Sequence, residues 1–247
     1  MGGLAKGLAI IEALAIHGVL SVSDAARASG TSRAAARRCL ITLTKLGYVD
    51  HLGREFRPLP RLRGLGGAMT KRDQIARLAG PLLARARDDL AESVSLAVLD
   101  NDTALFIARA EAVHIVSTGV RVGAHLPAYC SATGRILLSQ FSDDEIVERI
   151  GKKPLRSRTT HTITKISLLL AEIGAIRKRA YAISDEELEL GMRALAVPVI
   201  GKNNEIIAAI SVSAASARVR AADLRSHFLP VLQACSRTLC QQISHAA

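Results

Sequence analysis

Two short runs of this chain carry most of the side chains with chemistry to offer: Ser32-Arg33-Ala34-Ala35-Ala36-Arg37-Arg38 and Tyr129-Cys130-Ser131-Ala132-Thr133-Gly134-Arg135. On a helix turning about 100° per residue, Ala34, Arg38, Thr42 and Lys45 share one side, with Arg37 at its edge. Ala36, Cys39, Leu40 and Leu43 take the opposite side and are the expected core face. Ser32 and Arg33 stand at the N-terminal end, where a helix lying in a DNA major groove meets base edges. Arginine reads guanine O6 and N7 and also neutralises phosphate. A merely solvated charged face is the plain alternative.

The second run is a loop feeding a helix. Backbone N–H groups near Ser131, Thr133 and Gly134 offer an anion site, and Arg135 adds a charge-assisted donor. Ser211 and Ser213 alternate within an apolar strand, so both hydroxyls reach one face. Together these features fit a small carboxylate in a mostly apolar pocket. Against this, Thr133 as a simple helix cap and the serines as small core fillers explain the same residues.

An enzymatic reading has weaker support. Cys130 or Ser131 could serve as nucleophile, with His114, His125 or His161 as base, but no acid–base partner stands at a recognisable spacing. The carboxylates Asp185, Glu186, Glu187 and Glu189 form one run, which reads as a helix start or a solvated segment. Cys39, Cys130, Cys235 and Cys240 show no CxxC pairing and no metal-ligand spacing, so reduced thiols and no cofactor are expected. Catalysis is not expected. A thiol sensor or enzyme using Cys130, or an architectural DNA-binding protein without a ligand, remain the alternatives.

The elements that must position these residues follow from capping and periodicity. Helices are expected over residues 4–16, 24–29 and 33–45, ended by Gly18, Gly30 and Gly47 and begun by Ser21 or Ser23 and by Thr31 or Ser32. The apolar positions Leu4, Leu8, Ile11 and Ala15 are the expected inner face of the first. Residues 48–50 and 55–57 flank a Gly-containing turn, a hairpin that completes a winged helix-turn-helix and carries Arg54 and Arg57. Pro58 and Pro60 stop this wing. Residues 1–60 are thus the expected DNA-binding domain, 61–77 a linker, and 78–247 a second domain. Helix 74–91 precedes strands at 93–99, 103–110 and 114–118. Further strands are expected at 181–184, 194–200 and 206–214, with helices at 133–140, 142–150, 163–179 and 221–244. Strands interrupted by helices, with hairpins at both ends, indicate an α+β domain with an antiparallel sheet flanked by helices.

Charge separates the two halves. The first 72 residues hold 12 Lys/Arg against four carboxylates, a net +8 of the whole chain's +11. A basic module joined to a near-neutral one is the electrostatic footprint of nucleic-acid binding by one end. Aromatic residues are 3% of the chain with no Trp, which argues against base stacking on single strands and for duplex DNA. No apolar run approaches membrane-spanning length, and the N-terminal segment has helical spacing with Glu12 inside it rather than a leader's apolar core. A cytoplasmic protein is the expectation.

The pattern Gly7-Leu8-Ala9-Ile10-Ile11-Glu12-Ala13-Leu14, the run Ser32 to Leu40, and Leu43…Gly47-Tyr48-Val49 resemble the IclR family of bacterial transcription regulators. So do Leu126-Pro127-Ala128-Tyr129-Cys130…Gly134-Arg135, Glu186-Glu187-Leu188-Glu189-Leu190-Gly191-Met192-Arg193…Val197-Pro198-Val199, and Ala209-Ile210-Ser211-Val212-Ser213. The form of these motifs is similar to the subgroup that regulates breakdown of protocatechuate, 4-hydroxybenzoate and related β-ketoadipate pathway compounds. The resemblance implies a winged helix domain, a linker helix and a GAF-like effector domain, assembled as a homodimer or homotetramer on double-stranded operator DNA. Read on the helical wheel and the wing, DNA contact is expected through Ser32, Arg33, Ala34, Arg37, Arg38, Thr42, Arg54 and Arg57. The resemblance places a small organic, aromatic acid among Tyr129, Cys130, Ser131, Thr133, Gly134, Arg135, Ala194, Ser211 and Ser213.

Overall fold

A computed structural model describes residues 2–63, 71–113, 120–152 and 154–246. The chain divides into two compact units, Met1–Thr70 and Lys71–Ala247.

The first unit runs α1 (Gly2–His17), β1 (Leu20–Ser21), α2 (Val22–Ala28), α3 (Arg33–Lys45), β2 (Val49–Leu52), β3 (Glu55–Pro58) and α4 (Pro60–Arg63). Gly18, Gly30 and Gly47 end the first three helices at φ of +73°, +63° and +74°, a conformation that other residues adopt at a cost. Ser21 and Ser32 cap α2 and α3: the Asp24 and Ala35 N–H groups donate to their hydroxyls at 3.2 and 3.3 Å. Ile10, Leu14, Leu20, Leu40, Val49 and Phe56 are among the buried residues of one core.

The expected inner face of α1 is corrected. Ile10, Ala13 and Leu14 are buried, whereas Leu4 and Leu8 are 77% and 51% exposed. The helix is apolar nearly all round, so its spacing could not choose a face. The short strand β1, absent from the sequence reading, pairs Leu20 with Phe56 of the wing and makes a three-stranded sheet in the order β1-β3-β2.

The second unit begins with α5 (Lys71–Leu90), inside the stretch expected to link the domains, and Ile75 and Leu78 already pack on its core. Among the described residues its sheet has six strands, all antiparallel: β4 (Ser93–Asp100), β5 (Thr103–Ala110), β6 (His125–Pro127), β7 (Ala182–Asp185), β8 (Met192–Ile200) and β9 (Ile206–Ala215). Their spatial order is β6-β5-β4-β9-β8-β7. The fold is α+β, an antiparallel sheet flanked by helices. The edge strand β6 falls in a stretch expected to be loop, and the strand expected at 114–118 lies outside the described residues.

The two faces of this sheet differ in side-chain size. On one, Val94, Leu96, Val98, Leu195, Val197, Ile210 and Val212 pack against α5 and α10 (Leu229–Ala246). On the other, Ala97, Ala104, Ala196 and Ala209 meet α6 (Ala132–Leu138) and α8 (Ile166–Arg179), with Ile136, Leu137 and Ile176 contributed by those helices. Helix α7 (Asp143–Ile150) buries Ile146 and Ile150 with Leu138, Leu169 and Ile173. Small side chains, alanine above all, pave this face.

The helix expected at 221–244 is present, with one irregularity. A three-residue turn, α9 (Ala221–Asp223), leads through a π-helical turn over Leu224–Phe228 into α10. The cause is Pro230, which lacks an N–H, so the ladder slips and Leu229 donates five residues back to the Leu224 carbonyl.

Candidate functional sites: a basic helix face and a sheet-side cavity

In the first unit, α3 buries Ala35, Ala36, Leu40 and Leu43 and leaves Arg33, Ala34, Arg37, Arg38 and Thr42 exposed. Cys39, expected inside, is half-buried. Among the described residues no ion pair involves Arg33, Arg37 or Arg38, so their charge faces outward without a carboxylate to cancel it. Ser32 is exposed but its hydroxyl oxygen is engaged in the cap. The Thr42 hydroxyl donates to the Arg38 carbonyl at 2.9 Å, which leaves its methyl group as the outward surface. The wing turn is Gly53-Arg54, with Gly53 at φ +63°, and Arg54 and Arg57 are exposed on it. His51 stacks on Phe56 across the hairpin, ring centroids 4.3 Å apart, and anchors the wing to the core through the buried Phe56. A solvent-facing cationic helix beside a cationic hairpin can grip phosphates while its end residues reach bases.

In the second unit, a partly enclosed cavity lies on the alanine- and serine-paved side of the sheet. Its volume is about 70 Å³. That is several times the roughly 10–15 Å³ one water needs, so the space is larger than a single hydration site. Register aligns its floor: Arg109 pairs with Ser95, Ser95 with Ser211, and Ala194 with Ser213. With strands about 4.8 Å apart, Arg109 to Ser211 spans about 10 Å of polar stripe between apolar walls such as Phe106, Val120 and Leu126.

Of the nine expected effector residues, Ser131, Thr133, Ala194, Ser211 and Ser213 line this cavity; the other four do not. Each has a different position. The Tyr129 hydroxyl donates to the Arg156 carbonyl at 2.6 Å, beside a separate depression. Cys130 is fully buried, and burial pushes its thiol pKa up, so it stays protonated and is a poor nucleophile. Gly134 packs on the 3-10 turn Ala128–Cys130: a Cβ there would lie 2.2 Å from the Ala128 Cα.

Arg135, expected to reach the ligand, is 1% exposed and committed elsewhere. Its Nε donates to the Tyr129 carbonyl at 2.8 Å and its Nη1 to Glu187 Oε1 at 2.7 Å, with Nη2 on Glu187 Oε2 completing a bidentate pair. Glu187 therefore belongs to neither a helix start nor a solvated segment. Its carboxylate ties α6 to residues 186–191, where Leu188 and Glu189 form part of the cavity wall. The Thr159 and Thr162 hydroxyls donate to the Glu186 and Glu187 carbonyls at 2.7 and 2.6 Å and hold that segment from its other side. Ser131 is the cap of α6, accepting from the Gly134 N–H at 3.2 Å and donating to the Pro127 carbonyl at 2.9 Å.

Sequence reading missed Ser95, Arg109, Ser184 and Glu189. The signal was present: Ser93 and Ser95 alternate in β4 as Ser211 and Ser213 do in β9, and Arg109 interrupts an apolar strand. Arg109 Nη1 donates to Ser95 Oγ at 2.9 Å, and its side chain is 5% exposed. Burial lowers its pKa, though an arginine stays charged at neutral pH. Arg193, also in the wall, is bound to Asp185 at 2.6 Å and to the Val219 carbonyl at 2.9 Å. Among the described residues no group of three or more His, Cys, Asp or Glu could hold a metal ion. His125 contacts Thr103 Oγ1 at 3.0 Å, and His114 lies outside the described residues.

Comparison with known proteins matches the whole organisation. Residues 3–53 match the IclR helix-turn-helix domain, and residues 67–241 the C-terminal domain of bacterial IclR transcriptional regulators. The Pca regulon regulatory protein of Pseudomonas putida is 39% identical over 245 residues, 98% of this chain and 84% of that protein. A transcriptional regulator of Rhodococcus sp. RHA1, solved by crystallography, superposes with a TM-score of 0.82 at 33% identity over 100% of both chains. A double mutant of the inducer-binding domain of the PobR transcription factor from Acinetobacter, crystallised with 3-hydroxybenzoic acid, superposes with a TM-score of 0.64 at 32% identity. That match covers 66% of this chain and 96% of that one.

Proposed function

The chain belongs to the IclR family of bacterial transcriptional regulators, and on that premise we propose that it controls its operator in response to a single-ring aromatic carboxylic acid held in the sheet-side cavity. The observation that carries this reading is the cavity itself: small, apolar-walled, floored by Ser211 and Ser213, and holding a buried guanidinium. Such a site suits a flat apolar body with one anionic end and one hydroxyl. The 3-hydroxybenzoic acid crystallised with the PobR inducer-binding domain has that chemistry. Ser131, Thr133 and Ala194 supply further wall, while Gly134 and Arg135 act by fixing the helix that carries Ser131 and Thr133.

DNA contact falls to Arg33, Ala34, Arg37, Arg38 and Thr42 on α3, with Ser32 at its start and Arg54 and Arg57 on the wing. Two copies of the chain, as a dimer or dimer of dimers, would place two such helices in the major grooves of a roughly palindromic operator. The acid acts only so far as it binds two conformations of the protein with different affinity. The reading assigns no catalytic step and no cofactor: Cys130, the best nucleophile candidate, is buried and protonated. Among the described residues no helix is long and apolar enough to cross a membrane, and a protein that works on operator DNA would act in the cytoplasm.

Calorimetric titration with 4-hydroxybenzoate and with protocatechuate tests this. One of them should bind with 1:1 stoichiometry per chain, and Ser211→Ala should weaken it about 3- to 10-fold through loss of a neutral hydrogen bond. No heat from either acid, or binding indifferent to Ser211, would refute the assignment.

A further inference from the structure

We infer that Thr133 is the specificity-determining residue that reads a ring hydroxyl in this cavity, with Ser211 as its counterpart on the floor, so that the site takes hydroxylated benzoates and turns away benzoate itself. The inference rests on the reading of the cavity as the acid's site and names the atoms that choose among acids. Six side-chain hydroxyls line the space: those of Ser95, Ser131, Thr133, Ser184, Ser211 and Ser213. Three are committed to the protein. Ser95 accepts from Arg109 at 2.9 Å, Ser131 caps α6, and Ser184 donates to the Cys130 carbonyl at 3.2 Å. The hydroxyls of Thr133, Ser211 and Ser213 make no hydrogen bond among the described residues. Thr133 and Ser211 are only 3% and 5% exposed, so each is all but closed to bulk solvent. A hydroxyl that a bound ligand dries without pairing is a free-energy loss, and one that it pairs is a gain.

Chemistry and rigidity both point to a hydroxyl as the missing partner. A carboxylate only accepts, whereas a phenolic O–H can donate to one protein hydroxyl and accept from another. Thr133 is β-branched and stands on a helix held on two sides, by the Gly134 contact with Ala128 and by the Arg135–Glu187 pair. Ser211 sits in β9, paired with Ala196 of β8 and with Ser95 of β4. Both partners are therefore fixed before a ligand arrives. A fixed polar site rejects a ligand without the matching group, because its own hydroxyls are then left unpaired. This selection concerns the ring's hydroxyl and is independent of how the carboxylate is held.

The test is a matrix of calorimetric affinities for the full chain: benzoate against 3-hydroxybenzoate, 4-hydroxybenzoate and protocatechuate. The parent should bind the tightest of the three hydroxylated acids at least about tenfold more tightly than benzoate. Thr133→Val, close in shape but without the hydroxyl, should lower that ratio about 3- to 10-fold, with benzoate affinity unchanged or higher. Thr133→Ser, which keeps the hydroxyl, should keep most of the parent's ratio, and this separates a lost hydrogen bond from disturbed packing. A ratio near one in the parent, or a parental ratio that survives Thr133→Val, would overturn the inference while leaving the cavity assignment standing. Failure of the parent to bind any of the hydroxylated acids would overturn both.

Discussion

Glu187 and Arg135 are buried together. Each Glu187 carboxylate oxygen meets a guanidinium nitrogen, and the Ile163 N–H approaches Oε2 at 3.4 Å. Removing one partner of such a pair leaves a buried charge without its counterpart, a loss of about 3–5 kcal/mol. Glu187→Gln is therefore expected to destabilise the second unit by that order, and denaturant unfolding measures it. Unchanged stability would mean that the pair is not the tie between α6 and the segment after β7. Gly134 makes a separate prediction. Because an added Cβ would meet the Ala128 backbone rather than a movable side chain, Gly134→Ala should cost at least about 1–3 kcal/mol. Melting indistinguishable from the parent would contradict the close approach. Neither role was legible in the sequence. The Arg135 partner lies 52 residues away, and spacing carries no information about which distant carboxylate a buried arginine will find. The same run of acids that reads as a solvated segment supplies one buried anchor, Glu187, and one exposed wall residue, Glu189.

At the level of elements, local signals were sufficient wherever a cap or a glycine fixed a boundary. Helix α3 spans Arg33–Lys45 as its Ser32 cap and Gly47 stop require, and β5 and β9 follow from alternation. Signals failed where the outcome depended on something non-local. Strand β6 exists because Thr103, Ala104 and Leu105 offer it an edge, and β1 because Phe56 does. Helix α1 could not announce its buried face because both faces are apolar. For α3 the prediction is about its outward side. Arg38→Ala should weaken operator binding strongly, and if Arg38 meets phosphate it should also reduce the slope of log affinity against log salt by about one. Acid binding to the second unit should be unaffected. Equal operator affinity for mutant and parent at matched salt would show that this face of α3 does not meet DNA. Ser32→Ala should cost about 1 kcal/mol of first-unit stability through the lost cap, read by thermal melting.

On the scale of the whole molecule, the charge asymmetry announced two jobs before any element was placed. The structure has exposed arginines on α3 in one unit and a polar stripe across a sheet in the other. The stripe was half legible. Ser211 and Ser213 were visible as an alternating pair, but their alignment with Ser95 and Arg109 is a property of strand order β5-β4-β9, which no local pattern encodes. That order also explains why the cavity exists: small residues from four neighbouring strands come to lie side by side only once the sheet is assembled.

The central claim is that an acid in the cavity changes how the winged module holds DNA. Operator affinity measured at fixed salt across a series of 4-hydroxybenzoate or protocatechuate concentrations, for the parent and for Ser211→Ala, tests it most directly. The account predicts equal operator affinity for the two proteins without acid, and an acid-dependent change whose midpoint moves about 3- to 10-fold higher in the variant. An operator affinity that ignores the acid, or a midpoint that does not move with Ser211, would contradict it.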